Sequence, residues 1–176
     1  MSMQIAWGKK VSSEFIARVL RICKTFDWYD GAASDLMACI AFESGETFSP
    51  SIRNAAGSGA VGLIQFMGST AQGMGTSTEA LAQLNALQQL DYVERYFQPY
   101  ASRIQNLPDM YMAILMPKYV GSPIDAVLFS GGIAYRQNAG LDANSDGKIT
   151  KAEAAAKVLA KRNKGFLPEN VITIAG

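Results

Sequence analysis

Glu43 is the residue whose surroundings most favour chemistry. It directly follows the uninterrupted apolar run Leu36–Phe42, which predicts a helix buried on all sides. Burial disfavours the charged form of a carboxylate, so we expect the pKa of Glu43 to be raised. A carboxylic acid that keeps its proton near neutral pH can donate it to a glycosidic oxygen. The alternative is a half-exposed carboxylate at a helix end, hydrogen-bonded to Ser44 or Asn54.

A second group of oxygen-bearing residues fills the segment 142–153. Gly147 stands where an EF-hand loop makes its sharp turn, and oxygen donors occupy each ligand position of that pattern. The ligands are expected to be Asp142, Asn144, Asp146, the Lys148 carbonyl, Thr150 directly or through water, and Glu153 as a bidentate ligand. The pattern predicts bound Ca²⁺; the alternative is a plain Asx-rich turn.

The surroundings of this loop favour a structural ion over a sensor. A helix is clear after the loop, whereas Gly140-Leu141 leaves little room for a regular helix before it, and the sequence has no second loop of this type. We expect the ion to tie the C-terminal helix to the cleft and so to place the segment Tyr135–Asn138.

Composition excludes several other kinds of site. The 176 residues contain no His and two Cys, which excludes Ser-His-Asp and Cys-His catalysis and histidine-ligated zinc. A net charge of +1 provides no general attraction for nucleic acid or an anionic membrane. No apolar run is long enough for a membrane span, and the N-terminal segment does not resemble a signal peptide. Cys23 and Cys39 lie in apolar stripes and are expected to be buried and reduced.

Helical periodicity dominates the rest of the chain and predicts a mainly α fold in a single domain spanning 1–176. Residues 47–67 lose this period and are expected to form a loop with a small hairpin. Helices are predicted from a Ser12 cap to Phe26, from a Ser34-Asp35 cap to Glu43, from a Thr76–Glu79 capping box to Phe97, and over 109–116, 123–129 and 151–162.

The segments Ala41–Gly45, Phe48–Pro50, Arg53-Asn54 and Gly57–Met67 together form a recognisable pattern. It resembles the soluble lytic transglycosylases of glycoside hydrolase family 23, which are related to goose-type lysozymes. In that family a Glu-Ser pair ends a helix, and a later Gly-Leu-x-Gln-x-Met segment forms the wall of the cleft. The resemblance covers roughly residues 34–71, and its general style is similar to cell-wall-degrading domains of phages and contractile secretion systems.

The resemblance implies a lysozyme-like α+β fold, with a small hairpin or loop region beside a helical core. It implies that Glu43 is the sole general acid/base in cleavage of the β-1,4 bond between N-acetylmuramic acid and N-acetylglucosamine, leaving a 1,6-anhydro sugar. Ser44, Gln65 and Met67 are then expected to contact the glycan.

The sequence departs from the family where an Ala-Tyr-Asn-Ala-Gly segment normally supplies a Tyr beside the catalytic Glu. Tyr111 and Tyr135 are the two candidates, and Tyr135 is favoured together with Asn138, because both belong to Tyr135-Arg136-Gln137-Asn138-Ala139-Gly140. Glu46 is the competitor for a second catalytic carboxylate, and the favoured interpretation makes it a solvated or hydrogen-bonded loop residue.

The expected partner is the glycan strand of peptidoglycan, with an immunity protein or a carrier or spike protein as further candidates, and no nucleic acid. Activity is expected at the cell wall in the periplasm, after delivery by a phage particle, a holin or a secretion system. The alternatives are a muramidase acting on the same bond, a silent glycan-binding or structural module, and a calcium-binding adaptor.

Overall fold

The computed structural model describes residues 1–175, which form eight α-helices and two small antiparallel sheets. The helices are α1 (Ser13–Thr25), α2 (Ala32–Glu43), α3 (Gly68–Gly73), α4 (Thr78–Ala82), α5 (Ala86–Phe97), α6 (Leu107–Leu115), α7 (Gly132–Gln137) and α8 (Lys151–Gly165). The strands are β1 (Ser2–Ile5), β2 (Val127–Ser130), β3 (Lys148–Thr150) and β4 (Ile172–Ala175). A mainly α fold with a small β component is confirmed.

Helix α2 forms the centre of the core. Every residue from Ala32 to Ala41 is buried, and the helix packs against α1, α6, α8 and β1. The expected buried helix is confirmed, but its Ser34-Asp35 cap is wrong. The helix begins earlier, after Gly31 in a left-handed conformation, because Ser34 instead accepts a hydrogen bond from the Ala6 amide and Asp35 pairs with Arg162.

The helix predicted to run unbroken to Phe97 is divided in two. Asn85 caps α5 through a reciprocal capping box with Gln88, which interrupts the chain after α4. The capping box expected at Thr76–Glu79 is absent, and Ser77 caps α4 by accepting from the Ala80 amide.

The helix predicted over 123–129 is wrong, because strand β2 occupies its C-terminal half. The β2–β3 pairing places Phe129 opposite Ile149, and both side chains are buried. Burial in a cross-strand pair overrides the weak local helical pattern. Conversely, the short helix α7 forms just before the segment 142–153, where no regular helix was expected, and none of its residues is buried.

The two ends of the described chain form a sheet that the sequence did not reveal. Strands β1 and β4 pair from Ser2 opposite Ala175 to Ile5 opposite Ile172. The chain then turns at Trp7, which is fully buried and donates from its indole N–H to the Lys161 carbonyl on α8 at 3.0 Å. These contacts hold the C-terminal helix against the core.

A buried ion pair connects α8 to α6. Lys151 Nζ lies 2.6 Å from Asp109 Oδ1 and also donates to the carbonyls of Tyr119 and Ser122, and the Lys151 and Asp109 side chains are both almost inaccessible. Asp109 accepts two further hydrogen bonds from backbone N–H groups. Complete pairing of this kind is what makes a buried charge tolerable.

Both cysteines are free, with Cys39 buried and Cys23 partly so, as expected. None of the helices within residues 1–175 is both long and apolar enough to cross a membrane.

We predict that Lys151→Met destabilises the protein by about 3–5 kcal/mol, because it leaves the Asp109 carboxylate buried without its cation. Urea unfolding measures the change. Lys157→Met on the exposed face of the same helix is the matched control and should change stability by less than about 0.5 kcal/mol. Equal effects of the two substitutions would contradict the assigned role of the pair.

Candidate active site

Glu43 is the last residue of α2, and its carboxyl group is the most unusual acid of the chain. Burial raises its pKa to about 7, and no neighbouring charge contributes to that shift. The carboxylate accepts no hydrogen bond from residues 1–175, yet no fully buried polar side-chain atom in this range lacks a partner. Its oxygens therefore keep some contact with solvent. A desolvated acid with an open side is available to a ligand.

Two tyrosines share the electrostatic environment of Glu43. Burial raises the pKa of Tyr96 on α5 and of Tyr111 on α6, and the charge of Glu43 raises both further. Tyr96 donates its phenol to the Ala113 carbonyl. This bond joins α5 to α6 beside the carboxyl end of α2.

Of the two tyrosines expected as candidates, Tyr111 is the one in the electrostatic field of Glu43. Its ring meets Phe42 edge to face, with centroids 5.6 Å apart, and the residue is 4% exposed. Its hydroxyl has no hydrogen-bond partner among the described residues, so by the same reasoning it retains contact with solvent. The preference for Tyr135 is corrected, because the Tyr135 hydroxyl donates to Asp142 Oδ2 at 2.6 Å.

Glu46 is engaged elsewhere and does not pair with Glu43. It lies in the turn after α2, where its carboxylate contacts Lys161 at 2.5 Å and Lys164 at 2.8 Å, both on α8. Hydrogen bonds from these two lysines lower the pKa of Glu46. The favoured expectation of a hydrogen-bonded loop carboxylate agrees with this geometry.

Ser44 does not fit its expected contact with a sugar. It is 1% exposed, and its hydroxyl accepts a hydrogen bond from the Phe48 amide at 3.0 Å. The Thr47 hydroxyl donates to the Ser44 carbonyl. Ser44 therefore stabilises the turn that follows Glu43.

Gln65 is partly exposed and anchored by one end of its amide. Its backbone is left-handed, and its Nε2 donates to the carbonyls of Ile52 at 3.2 Å and Gly62 at 3.0 Å. Its Oε1 accepts no hydrogen bond from residues 1–175. One acceptor thus remains for a ligand, on a side chain whose orientation is set by the loop.

A small pocket of about 60 Å³ lies next to Gln65 and is shared with Tyr96. Met67, which is 46% exposed at the start of α3, belongs to its rim. The lining residues are Ile64, Gln65, Phe66, Met67, Thr70, Tyr96 and Ile114. Glu43 does not line this pocket, but its charge acts on Tyr96, which does.

A larger cavity, of about 520 Å³, lies between β1 and the turn that joins α1 to α2. Its walls are mostly apolar and include Trp28 and Tyr29, but none of the predicted site residues. Size alone does not make it the functional site.

The segment 142–153 brings three carboxylates together, from Asp142, Asp146 and Glu153. One oxygen from each lies within 4.8 Å of the others. Ligands on opposite sides of a Ca²⁺ ion are at most about 5 Å apart, so this spacing suits one cation. Gly147 supplies the turn with φ at +83°. This group of three acidic residues could hold a metal ion.

The remaining predicted ligands surround these carboxylates. Asn144 Oδ1 accepts a hydrogen bond from the Asp146 amide. Lys148 is the first residue of β3, and its backbone N–H donates to Asp146 Oδ1. Thr150 is the N-cap of α8 and shares a capping box with Glu153. Its hydroxyl accepts from the Glu153 amide and donates to Glu153 Oε1, and a contact with the ion, directly or through water, stays a prediction.

Tyr135 and Asn138, the two site residues predicted in the 135–140 segment, lie beside this loop. Tyr135 holds Asp142, and this hydrogen bond, followed by backbone N–H bonds such as that from Gly147, lowers the pKa of Asp142. Asn138 caps the end of α7 and donates its amide to the Ala134 carbonyl. Neither residue is hydrogen-bonded to Glu43.

Sequence reasoning missed two residues of α5, Gln89 and Tyr96. Both lie on the side of α5 that faces the loop, because residues seven apart return to one face of a helix. A polar residue within the buried stripe of Leu90, Val93 and Phe97 was the available signal for Gln89.

Comparisons with protein-family models, curated proteins and solved structures find no match for this chain. The case for a function rests on the geometry of Glu43 and of the acidic loop.

We predict that Glu43→Gln stabilises the protein more at pH 8 than at pH 5. The native carboxyl keeps its proton up to about pH 7, whereas the unfolded chain releases it near 4.5. Between these values the unfolded state binds fewer protons, so the contribution of Glu43 is fully present below pH 4.5 and lost as the pH rises through 7. Removing this loss should add roughly 1–3 kcal/mol at pH 8, measured by urea unfolding.

Glu46→Gln is the control with the opposite sign. The pKa of Glu46 is lowered, so its stabilisation is present above its ordinary pKa and disappears as the pH falls. This variant should be less stable than the parent at pH 8. A loss of stability in Glu43→Gln at both pH values would contradict the desolvation of Glu43.

Proposed function

We propose that this protein cleaves the β-1,4 bond between N-acetylmuramic acid and N-acetylglucosamine in peptidoglycan, as a lytic transglycosylase of lysozyme-like fold. The observation that carries the proposal is the isolated Glu43 carboxyl. It is largely buried and has no hydrogen-bond partner among residues 1–175, yet its oxygens keep some contact with solvent. An acid with a pKa of about 7 is half protonated at neutral pH. It is therefore suited to give a proton to a leaving oxygen and then to take one back.

One carboxyl group suffices in this reaction. Glu43 protonates the glycosidic oxygen, the bond to the anomeric carbon breaks, and Glu43 then removes the proton of the 6-hydroxyl as that oxygen attacks the same carbon. The product is a 1,6-anhydro sugar, and no water is consumed. Because the nucleophile belongs to the sugar itself, its proximity replaces the activated water that a second carboxylate would position. The engagement of Glu46 with Lys161 and Lys164 supports a mechanism with a single carboxyl.

Gln65, the pocket beside it and Tyr111 suit a polar, uncharged ligand. Gln65 Oε1 can accept a hydrogen bond from a substrate amide N–H, and the pocket beside Met67 offers an apolar surface. The unpartnered Tyr111 hydroxyl is available to hold Glu43 or the sugar. These features support a glycan strand rich in acetamido groups as the partner, at the cell wall. Binding of an immunity protein or a carrier protein is a further proposal, and we assign no contact surface to it.

We predict that Glu43→Gln lowers murein cleavage by about 10²–10⁴-fold, since general acid/base catalysis contributes that much. Mass spectrometry of the digest should show anhydromuropeptides with the parent protein. The value of kcat/KM should fall about tenfold per pH unit above 7, because the free enzyme must hold its proton to act as the acid.

Glu46→Gln is the matched control and should retain cleavage. Products that end in reducing muramic acid would instead support a muramidase, in which water is the nucleophile. Lysis that is unchanged in Glu43→Gln would contradict catalysis and favour a silent glycan-binding module.

We further propose that the loop 142–153 binds Ca²⁺ as a structural ion. The oxygen donors of Asp142, Asp146 and Glu153 are hard ligands at suitable spacing, and Asn144, the Lys148 carbonyl and a water on Thr150 would complete the shell. The loop leads directly into α8, and Lys151 joins it to Asp109 on α6. Binding energy at the loop would therefore stabilise the packing of both helices.

Calcium should raise the melting temperature of the protein, and EDTA should lower it to the value of the metal-free form. Asp146→Asn should abolish most of this difference, whereas Asp125→Asn, outside the loop, should preserve it. An identical melting temperature with and without calcium would contradict the proposal.

A further inference from the structure

Gln89 is a fully buried polar residue that the proposed chemistry does not use. Its Oε1 accepts from the Leu63 amide at 2.8 Å, while its Nε2 donates to the carbonyls of Pro50 at 2.8 Å and Leu81 at 3.0 Å. One side-chain amide on α5 thus holds both ends of the Pro50–Leu63 loop and the end of α4. The Pro50 carbonyl and the Leu63 amide have no other hydrogen-bond partner among residues 1–175, whereas the Leu81 carbonyl also accepts from the Leu84 amide.

The loop backbone fits closely against this amide. Gly62 has φ at +86°, and a Cβ at this position would lie 2.4 Å from Gln89 Oε1. Gly62 is therefore required both for its left-handed conformation and for the close approach of the loop to α5. This contact fixes the distance between the loop backbone at Gly62 and α5.

Gln65 takes its position from the same turn. Its side-chain Nε2 donates to the Gly62 carbonyl at 3.0 Å, and its backbone N–H donates to the same carbonyl at 3.2 Å. Gly62 and Leu63 are held by Gln89, so the free Oε1 of Gln65 is fixed relative to α5. Tyr96, two turns further along α5, lines the pocket beside Gln65 and responds to the charge of Glu43.

We infer that Gln89 is a positioning residue that holds Gln65 and the pocket beside it at a fixed place against α5. The inference rests on the proposed glycan-cleaving function, because the wall matters only if a ligand lies against it. Gln89 acts through Gly62, Leu63 and Gln65, and it does not touch the substrate. An apolar side chain of similar length would fill the same space but would leave the Pro50 carbonyl and the Leu63 amide unpaired.

The test compares Gln89→Met with Gln98→Met, an exposed glutamine at the end of the same helix that makes no side-chain hydrogen bond. Hydrogen exchange of the Leu63 amide should be at least tenfold faster in Gln89→Met, while the amides of α2 keep their relative protection. On murein, kcat/KM should fall at least tenfold in Gln89→Met and stay within twofold in Gln98→Met. The pH at which kcat/KM declines should stay that of the parent, because α2 is unchanged.

Unchanged Leu63 exchange, unchanged kcat/KM, or a shifted pH dependence would each overturn the inference. If Gln89→Met does not fold, the parent protein alone decides, since its Leu63 amide must exchange far more slowly than that of the exposed Ser58 in the same loop. Absence of murein cleavage by the folded parent would overturn the proposed function, and the exchange of Leu63 would still report whether Gln89 holds the loop.

Discussion

The burial of α2 on every side is the constraint on which the rest of the structure depends. Every residue from Ala32 to Ala41 is buried, so neighbouring elements must cover the whole circumference of the helix. Helices α1, α6 and α8 and strand β1 do so. Glu43 ends this helix and inherits its low-dielectric surroundings, which is why its pKa rises without help from another charge.

Helix α8 connects the features that lie outside the core. Its first turn leaves the acidic loop and carries Lys151 to Asp109, and its last turns carry Lys161 and Lys164 to Glu46. The first contact links a cation-binding segment to α6, which bears Tyr111. The second contact holds Glu46, the carboxylate three residues after Glu43, in ion pairs with α8. The acidic loop and the environment of Glu43 are thereby parts of one packed unit.

Local pattern was sufficient where a side chain's environment is set by its own segment. The apolar run before Glu43 indicated a buried helix and a raised pKa, and the spacing of oxygen donors indicated the group formed by Asp142, Asp146 and Glu153. It was insufficient for Ser44, whose hydroxyl is taken by a turn four residues away, and for β2, which exists because Ile149 supplies a partner strand. Strands β1 and β4 pair across almost the full chain, and no local window contains both.

The sequence by itself singled out Glu43 and the acids of the loop 142–153, because desolvation and ligand spacing follow from residues close together in the chain. It did not reveal that Asp35 and Asp109 are buried. The tertiary structure alone decided which groups meet those acids. Tyr111 rather than Tyr135 lies in the field of Glu43, and Gln89 rather than a loop residue holds the Gln65 wall. Both outcomes depend on how α5 and α6 pack around α2. That packing arises from contacts between residues far apart in sequence, which periodicity and spacing do not encode.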